Sequence, residues 1–319
     1  MNIIETHALS RVYGKRRAVD SLDMCVAAGE IYGFVGKNGA GKSTAMKMIA
    51  GLVRPTSGSV ELFGAQRRAR EGFSRIGALI EDPGILPTFS ALENLMCKAL
   101  ALGVVRPNAH CRELLELVGL ADTGSLRVKK FSLGMKQRLG LALALVGGPD
   151  LLLLDEPFNG LDPESTRAMR GALVRLNRER GVTMVISSHV LDQLDRMATS
   201  FGVIRSGRMV RELSMDDLHR ECGNSIRIRT NDPARTLAIL EEALPGTALR
   251  AEPDGSILAS AAVRHAATSF GGAAVAPMVP SAEDVARALS EHGLLILELS
   301  HVERDIEEYF VELMGGADA

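Results

Sequence analysis

The sequence predicts an α/β fold built around a parallel sheet, with a smaller α/β region following it. Two strand-like runs, Leu151-Leu152-Leu153-Leu154 and Thr183-Met184-Val185-Ile186-Ser187, show no polar alternation. That pattern belongs to strands covered on both faces, as in a parallel sheet. Between them, Pro163 to about Arg178 has helical character, and a third apolar run, Ile31 to Val35, passes straight into a glycine-rich turn and a helix-forming stretch, Ala45 to Ala50.

The turn reads Gly36-Lys37-Asn38-Gly39-Ala40-Gly41-Lys42-Ser43-Thr44. Glycine, four residues, then Gly-Lys-Ser between strand and helix is the pattern of a phosphate-binding P-loop. Glycines let successive N–H groups turn inward as an anion nest. The helix that follows aims its positive dipole end at the same point. Lys42 adds a point charge for the β- and γ-phosphates, and the Ser43 hydroxyl is a Mg²⁺ ligand in such loops.

Around this loop the elements follow in order. Ile3 to Met24 alternates loosely about Gly14-Lys15-Arg16 and reads as antiparallel strands. Tyr13 stands there, either as a ring to stack on adenine or as an ordinary strand aromatic. Gly51 to Gly58 is a turn by composition, Ser59 to Phe63 a strand, and Arg75 to Ile80 another, ending in the loop Glu81-Asp82-Pro83-Gly84. From Ser90 to Leu120 the apolar spacing turns helical, with Leu92, Leu95, Met96 and Leu100, then Leu114, Leu115 and Val118. Phe131 to Arg138 opens an apolar helix, Leu139 to Val146. The leucine strand ends in Asp155-Glu156-Pro157, two acids at a strand's carboxyl end, where open α/β sheets place their ligand chemistry. The strand Thr183 to Ser187 ends at Ser188-His189, and a hairpin turns at Ser206-Gly207.

The remaining region carries no catalytic constellation. Ser225 to Thr230 is a strand, Asp232-Pro233 a helix start, and Asp254-Gly255 a hairpin turn. Gly271-Gly272 to Pro280 is a connector, and Ser281 with Asp284 resembles a capping box. A strand at Leu294 to Leu299 precedes a helix with Val302, Ile306, Tyr309, Phe310 and Leu313 on one face.

Composition narrows the function classes. The chain has 319 residues and a formal net charge of −2, so no bulk attraction draws it to nucleic acid. The basic clusters at Arg67-Arg68 with Arg70, and at Arg127, Lys129 and Lys130, read as solvated faces. Cys25, Cys97, Cys111 and Cys222 form no ligand pattern and read as reduced thiols. No signal peptide is visible, and the apolar tract Leu139 to Leu154 is broken by Gly147-Gly148-Pro149-Asp150, too soon to cross a bilayer.

The P-loop, the segment Ser132-Leu133-Gly134, the pair Asp155-Glu156, and His189 stand in this order along the chain. Their order and context resemble the nucleotide-binding subunits of ABC transporters over roughly the first two-thirds of the sequence. The resemblance implies a P-loop NTPase of ABC type with an antiparallel β subdomain and a helical subdomain. It places the nucleotide-binding domain at 1–220, with a helical insert at about 85–145, and a small C-terminal α/β accessory domain at 221–319. It also implies the site. Tyr13 stacks on adenine, and Gly36, Lys37, Asn38, Gly39, Ala40, Gly41, Lys42, Ser43 and Thr44 bind the phosphates. Ser43, Asp155 and Glu81 serve Mg²⁺. Glu156 is the general base, His189 contacts the γ-phosphate, and Lys42 completes the catalytic set. Gly160-Leu161-Asp162 becomes the loop that communicates between subunits. Ser132 and Gly134 belong to the signature segment, which completes the opposite subunit's site, so the functional form is a homodimer holding ATP and Mg²⁺. Separate membrane-spanning subunits are the implied partners, with no nucleic acid, and the implied location is cytoplasmic, at the inner face of the membrane.

Two departures refine the resemblance. Leu133 and Met135 replace residues of the usual Leu-Ser-Gly-Gly-Gln signature, and Glu81 stands where the family usually has glutamine. Together they resemble the bacitracin-resistance and lantibiotic-immunity exporters. An acid at Glu81 adds negative charge near the γ-phosphate, and the expected offset is a cation from the membrane subunit. The competing readings are an ABC ATPase acting on nucleic acid or ribosomes, and a regulatory protein that holds ATP without turnover.

Overall fold

The computed structural model describes residues 1–66, 75–222, 225–261, 281–302 and 306–315. The basic cluster at Arg67, Arg68 and Arg70 and the connector from Gly271 to Pro280 lie outside those residues. The chain forms two compact units, Met1–Glu212 and Leu213–Ala319.

The first unit carries two sheets. β1 (Asn2–Tyr13) and β2 (Arg16–Ala27) form the antiparallel pair expected around Gly14, and β4 (Ser57–Leu62) and β5 (Ala65–Gln66) extend it in the order β2-β1-β4-β5. The second sheet contains β3 (Ile31–Val35), β6 (Ile76–Leu79), β7 (Leu151–Asp155), β8 (Thr183–Ser188), β9 (Ser200–Arg205) and β10 (Arg208–Ser214), in the order β10-β9-β3-β8-β7-β6. Neighbours from β9 to β6 run parallel. Leu151 to Leu154 are fully buried, as the unbroken apolar run requires.

Helix α1 (Lys42–Ala50) packs between the sheets. Met46, Met48 and Ile49 join Ile4, Leu22, Phe34, Leu151 and Val185 in one core, so the helix that carries the phosphate loop is anchored in that core. Helices α2 (Ala91–Ala101) and α3 (Pro107–Leu117) form the helical segment. Ser90 and Glu93 make a reciprocal capping box on α2. The buried Asn94 side chain bonds both the N–H and the carbonyl of Leu86, which ties the preceding loop to α2. Helix α4 (Leu133–Leu145) starts earlier than its apolar run suggests, because the Ser132 hydroxyl caps it by accepting from Met135 N. Helix α5 (Pro163–Arg180) is capped by Asp162, with Pro163 in its first turn. Val128 is buried among its basic neighbours, and Arg127 pairs with Glu93 at 2.7 Å.

The second unit runs α6 (Met215–Cys222), β11 (Ser225–Thr230), α7 (Pro233–Ala243), β12 (Thr247–Ala251), β13 (Ile257–Ala261), α8 (Ala282–Glu291), β14 (Ile296–Val302) and α9 (Ile306–Leu313). The βαββαβ order from β11 to β14, with the sheet order β12-β13-β11-β14, is a ferredoxin-like sandwich. Its core gathers Ile226, Ile228, Leu240, Ile257, Val285 and Leu289. Ser281 caps α8 through the Asp284 N–H, as its spacing predicts. Val302 ends β14 rather than joining the last helix, because its ladder with Ser225 extends the strand three residues beyond Leu299. None of the four cysteines is in a disulfide, Cys111 and Cys222 being buried and Cys25 and Cys97 exposed. Among the described residues no helix is long and apolar enough to cross a membrane.

Candidate nucleotide site

The parallel sheet sends β3, β6, β7 and β8 in one direction, so their carboxyl ends share an edge. At that edge the loop after β3 opens into α1. Gly36 packs so closely that a Cβ there would stand 2.5 Å from the Ile204 carbonyl oxygen, and Gly41 enters the helix at φ +114°. Only glycine serves at either position. The first turn of α1 holds no acidic residue, and α1 has no side-chain cap, whereas Ser90, Ser132 and Asp162 cap α2, α4 and α5. Its N-terminal amides are therefore left for an anion.

A cleft of about 450 Å³ lies over this turn, lined by Tyr13, Arg16, Ala18, Asn38 to Thr44, and Glu156. Tyr13 is 45% exposed, and the Arg11 guanidinium stacks on its ring at 4.5 Å. Arg11 is itself held by a bond from Nη1 to the Arg54 carbonyl. Arg16 reaches the loop from β2, with Nη2 3.4 Å from the Gly39 carbonyl.

Lys42 is buried. Its Nζ donates to the Gly36 carbonyl and lies 3.2 Å from Glu156 Oε1. The second contact is an ion pair outside hydrogen-bond geometry, and Glu156 Oε1 is a buried acceptor with no hydrogen bond. The other oxygen, Oε2, lies 2.8 Å from His189 Nδ1. Glu156 has a left-handed backbone, φ 47°, fixed by a bond from its N–H to the Ser187 hydroxyl. The same hydroxyl donates to Asp155 Oδ1. One serine of β8 thus sets the two acids of β7.

The structure therefore gathers Tyr13, residues 38–44, Asp155, Glu156 and His189 at one edge. Ser132 and Gly134 do not line this chain's cleft; they open α4, with Gly134 against Ser165 and Leu161. Glu81 does not line it either. It follows β6 with φ 64° and is 64% exposed, and Lys47 Nζ of α1 lies 2.5 Å from its Oε1. The cation beside Glu81 thus comes from this chain, where sequence reasoning looked to a membrane subunit. Sequence reasoning also passed over Arg11, Arg16, Lys47 and Ser187. Arg11 had a signal, since residues two apart on a strand share a face. The others depend on tertiary register.

The donors fit Mg²⁺ and nucleotide. Ser43 and Asp155 offer the hard oxygens that Mg²⁺ takes, and the nest of amides at α1 suits phosphate.

A family model for the ABC transporter matches residues 19–159. The chain is 36% identical, over 98% of both chains, to the bacitracin transport ATP-binding protein BcrA of Bacillus licheniformis. It is 39% identical to the lantibiotic transport ATP-binding protein SrtF of Streptococcus pyogenes, over 67% of this chain and 92% of that one. Among solved structures, an ATP-binding subunit of an ABC transporter superposes with a TM-score of 0.61 at 30% identity, covering 69% of this chain and 93% of the other.

Proposed function

The chain belongs to the ATP-binding proteins of ABC transporters, and from that premise we propose that it powers export of a peptide antibiotic through separate membrane-spanning subunits. It is an ATPase. The placement of Glu156 carries the residue-level reading. Its Oε2 is tied to His189 while its buried Oε1 makes no hydrogen bond. A carboxylate so held can accept a proton from a water aimed at the γ-phosphate.

Each side chain then has a task. The amides of residues 38–44 and the Lys42 ammonium orient the β- and γ-phosphates and take up their charge. Tyr13 presents a half-exposed ring to the base. Ser43 and Asp155 would hold Mg²⁺, which neutralises charge on the phosphates during phosphoryl transfer. His189, with Nδ1 donating to Glu156, keeps the base turned inward, and when protonated it offers Nε2–H to the γ-phosphate. Ser132 and Gly134, which lie away from this cleft, would serve the site of a second copy. That arrangement supports a homodimer with two shared ATP sites, working against the inner face of the membrane.

Similarity to BcrA across almost the whole chain supports the substrate class, and so does the acid at Glu81. The test is a cell lacking its own exporter that expresses this chain with its membrane subunits. Wild type raises the tolerated bacitracin or lantibiotic concentration, and Glu156→Gln does not. Equal protection from both, or from neither while ATP hydrolysis persists, removes the proposal.

A further inference from the structure

Glu81 brings a third carboxylate to an edge that already holds two. β6 and β7 pair in parallel with Leu79 opposite Leu154, so the residues after them, Glu81 and the pair Asp155-Glu156, leave the sheet side by side. A polyphosphate bound at α1 would stand at the strand-end edge that these three acids share, with Glu81 outside the cleft itself. Like charges so placed oppose binding unless a cation compensates.

Lys47 is that cation. It sits five residues after Lys42, on the helix that the phosphate loop opens, and its Nζ lies 2.5 Å from Glu81 Oε1. Lys47 keeps 25% of its side-chain area exposed and Glu81 64%. A pair this open to solvent contributes little to folding. Its effect is on the local field, and it rides on the element that binds phosphate.

We propose that Lys47 is a positioning residue for nucleotide-driven closure. By neutralising Glu81, it lets an acid stand at the nucleotide edge without opposing the ATP-bound dimer. The inference rests on the ATP-binding reading above and extends it to a charge pair that substitutes for a neutral residue.

The experiment measures ATP affinity and ATP-driven dimerisation of the full chain, by fluorescent-nucleotide titration and light scattering, in a Glu156→Gln background whose turnover is strongly slowed. Lys47→Met should weaken both by roughly threefold to fivefold. Adding Glu81→Gln to Lys47→Met should restore them to the level of Glu81→Gln alone, and Lys47→Arg should match the parent. Two results overturn the proposal: Lys47→Met equal to the parent, or the double variant as weak as Lys47→Met. If Lys47→Met does not fold, the swap Lys47→Glu with Glu81→Lys carries the test. Retained closure supports the pair, and lost closure in a folded swap overturns it. Lys42→Ala runs alongside. If, in the parent chain, it still binds ATP and hydrolyses it at the parent rate, the underlying reading falls as well; if it loses ATP binding or turnover while Lys47→Met is unaffected, the role of Lys47 alone falls.

Discussion

Lys42 and Glu156 face each other across the site, Nζ 3.2 Å from Oε1, although 114 residues separate them in the sequence. One anchors the phosphate loop and the other directly follows β7. Each charge is largely withdrawn from water, with 6% and 20% of side-chain area exposed, so each depends on the other. Removing one partner of a buried pair leaves an uncompensated charge. Lys42→Ala should abolish ATP binding or turnover. The double variant Lys42→Ala with Glu156→Gln should lose less turnover than the two single losses multiplied together, because groups acting as one unit are not additive. Steady-state ATPase rates of the four proteins check this, and multiplicative losses would dissolve the pair.

Glu156→Gln alone should lower kcat by about 10²–10⁴-fold, the usual contribution of a general base. The amide keeps the shape of the side chain and can still accept from His189 Nδ1. ATP should therefore remain bound and hold the dimer together. Gel filtration with ATP distinguishes this from loss of binding, which would point to a structural role for Glu156.

Ser187→Ala tests how the two acids are held. Its hydroxyl accepts from Glu156 N at 2.9 Å and donates to Asp155 Oδ1. Without it a half-buried N–H is orphaned, at up to about 1–3 kcal/mol. The variant should melt earlier and also lose turnover beyond what its stability explains, because Glu156 has a left-handed backbone that this bond maintains. Unfolding midpoints and kcat, measured together below the melting range, decide between the two effects.

The readable part of this site is its local part. The phosphate loop, the acids after β7 and His189 each follow a strand within a few residues, and loop chemistry next to an apolar run is visible in sequence. The leucine strand also announced its own burial. What was not readable depends on register between segments far apart. Ser187 reaches Asp155 because β8 lies beside β7 with those two residues opposite. Lys47 meets Glu81 because α1 starts at the edge where β6 ends. Neither follows from spacing. The start of α4 was hidden for a different reason: Ser132 caps the helix, but the apolar pattern begins a turn later.

Arg11→Ala should raise KM for ATP more than it lowers kcat. The guanidinium covers one face of Tyr13 at 4.5 Å and leaves the opposite face for a base. An exposed cation–π contact is worth about 0.5–1 kcal/mol, so a rise of roughly twofold to fivefold is expected. In a Tyr13→Ala background the same change should add nothing further. A full additional rise there would place the effect of Arg11 on the backbone near Arg54 instead.

A pH test concerns the support beneath the site. Tyr32, fully buried in β3, donates its hydroxyl to Glu212 Oε1, which also accepts from Cys25 N. Burial is the largest cause raising the Glu212 carboxyl above its ordinary value, with Glu30 and Asp23 adding to it; the bonds from Tyr32 and Cys25 act the other way. An acid with a raised folded pKa stabilises the fold below its unfolded pKa, and that contribution is lost as pH rises through the folded value. Ionised Glu212 is therefore a burden at neutral pH. Glu212→Gln keeps an oxygen to accept both bonds and cannot ionise. Its melting temperature should exceed that of wild type at neutral pH, and the advantage should shrink as pH falls through the raised value and be gone below the ordinary glutamate range. Melting curves across that range check the sign. An advantage that stays constant with pH would show that burial of the charge is not what Glu212 costs the fold.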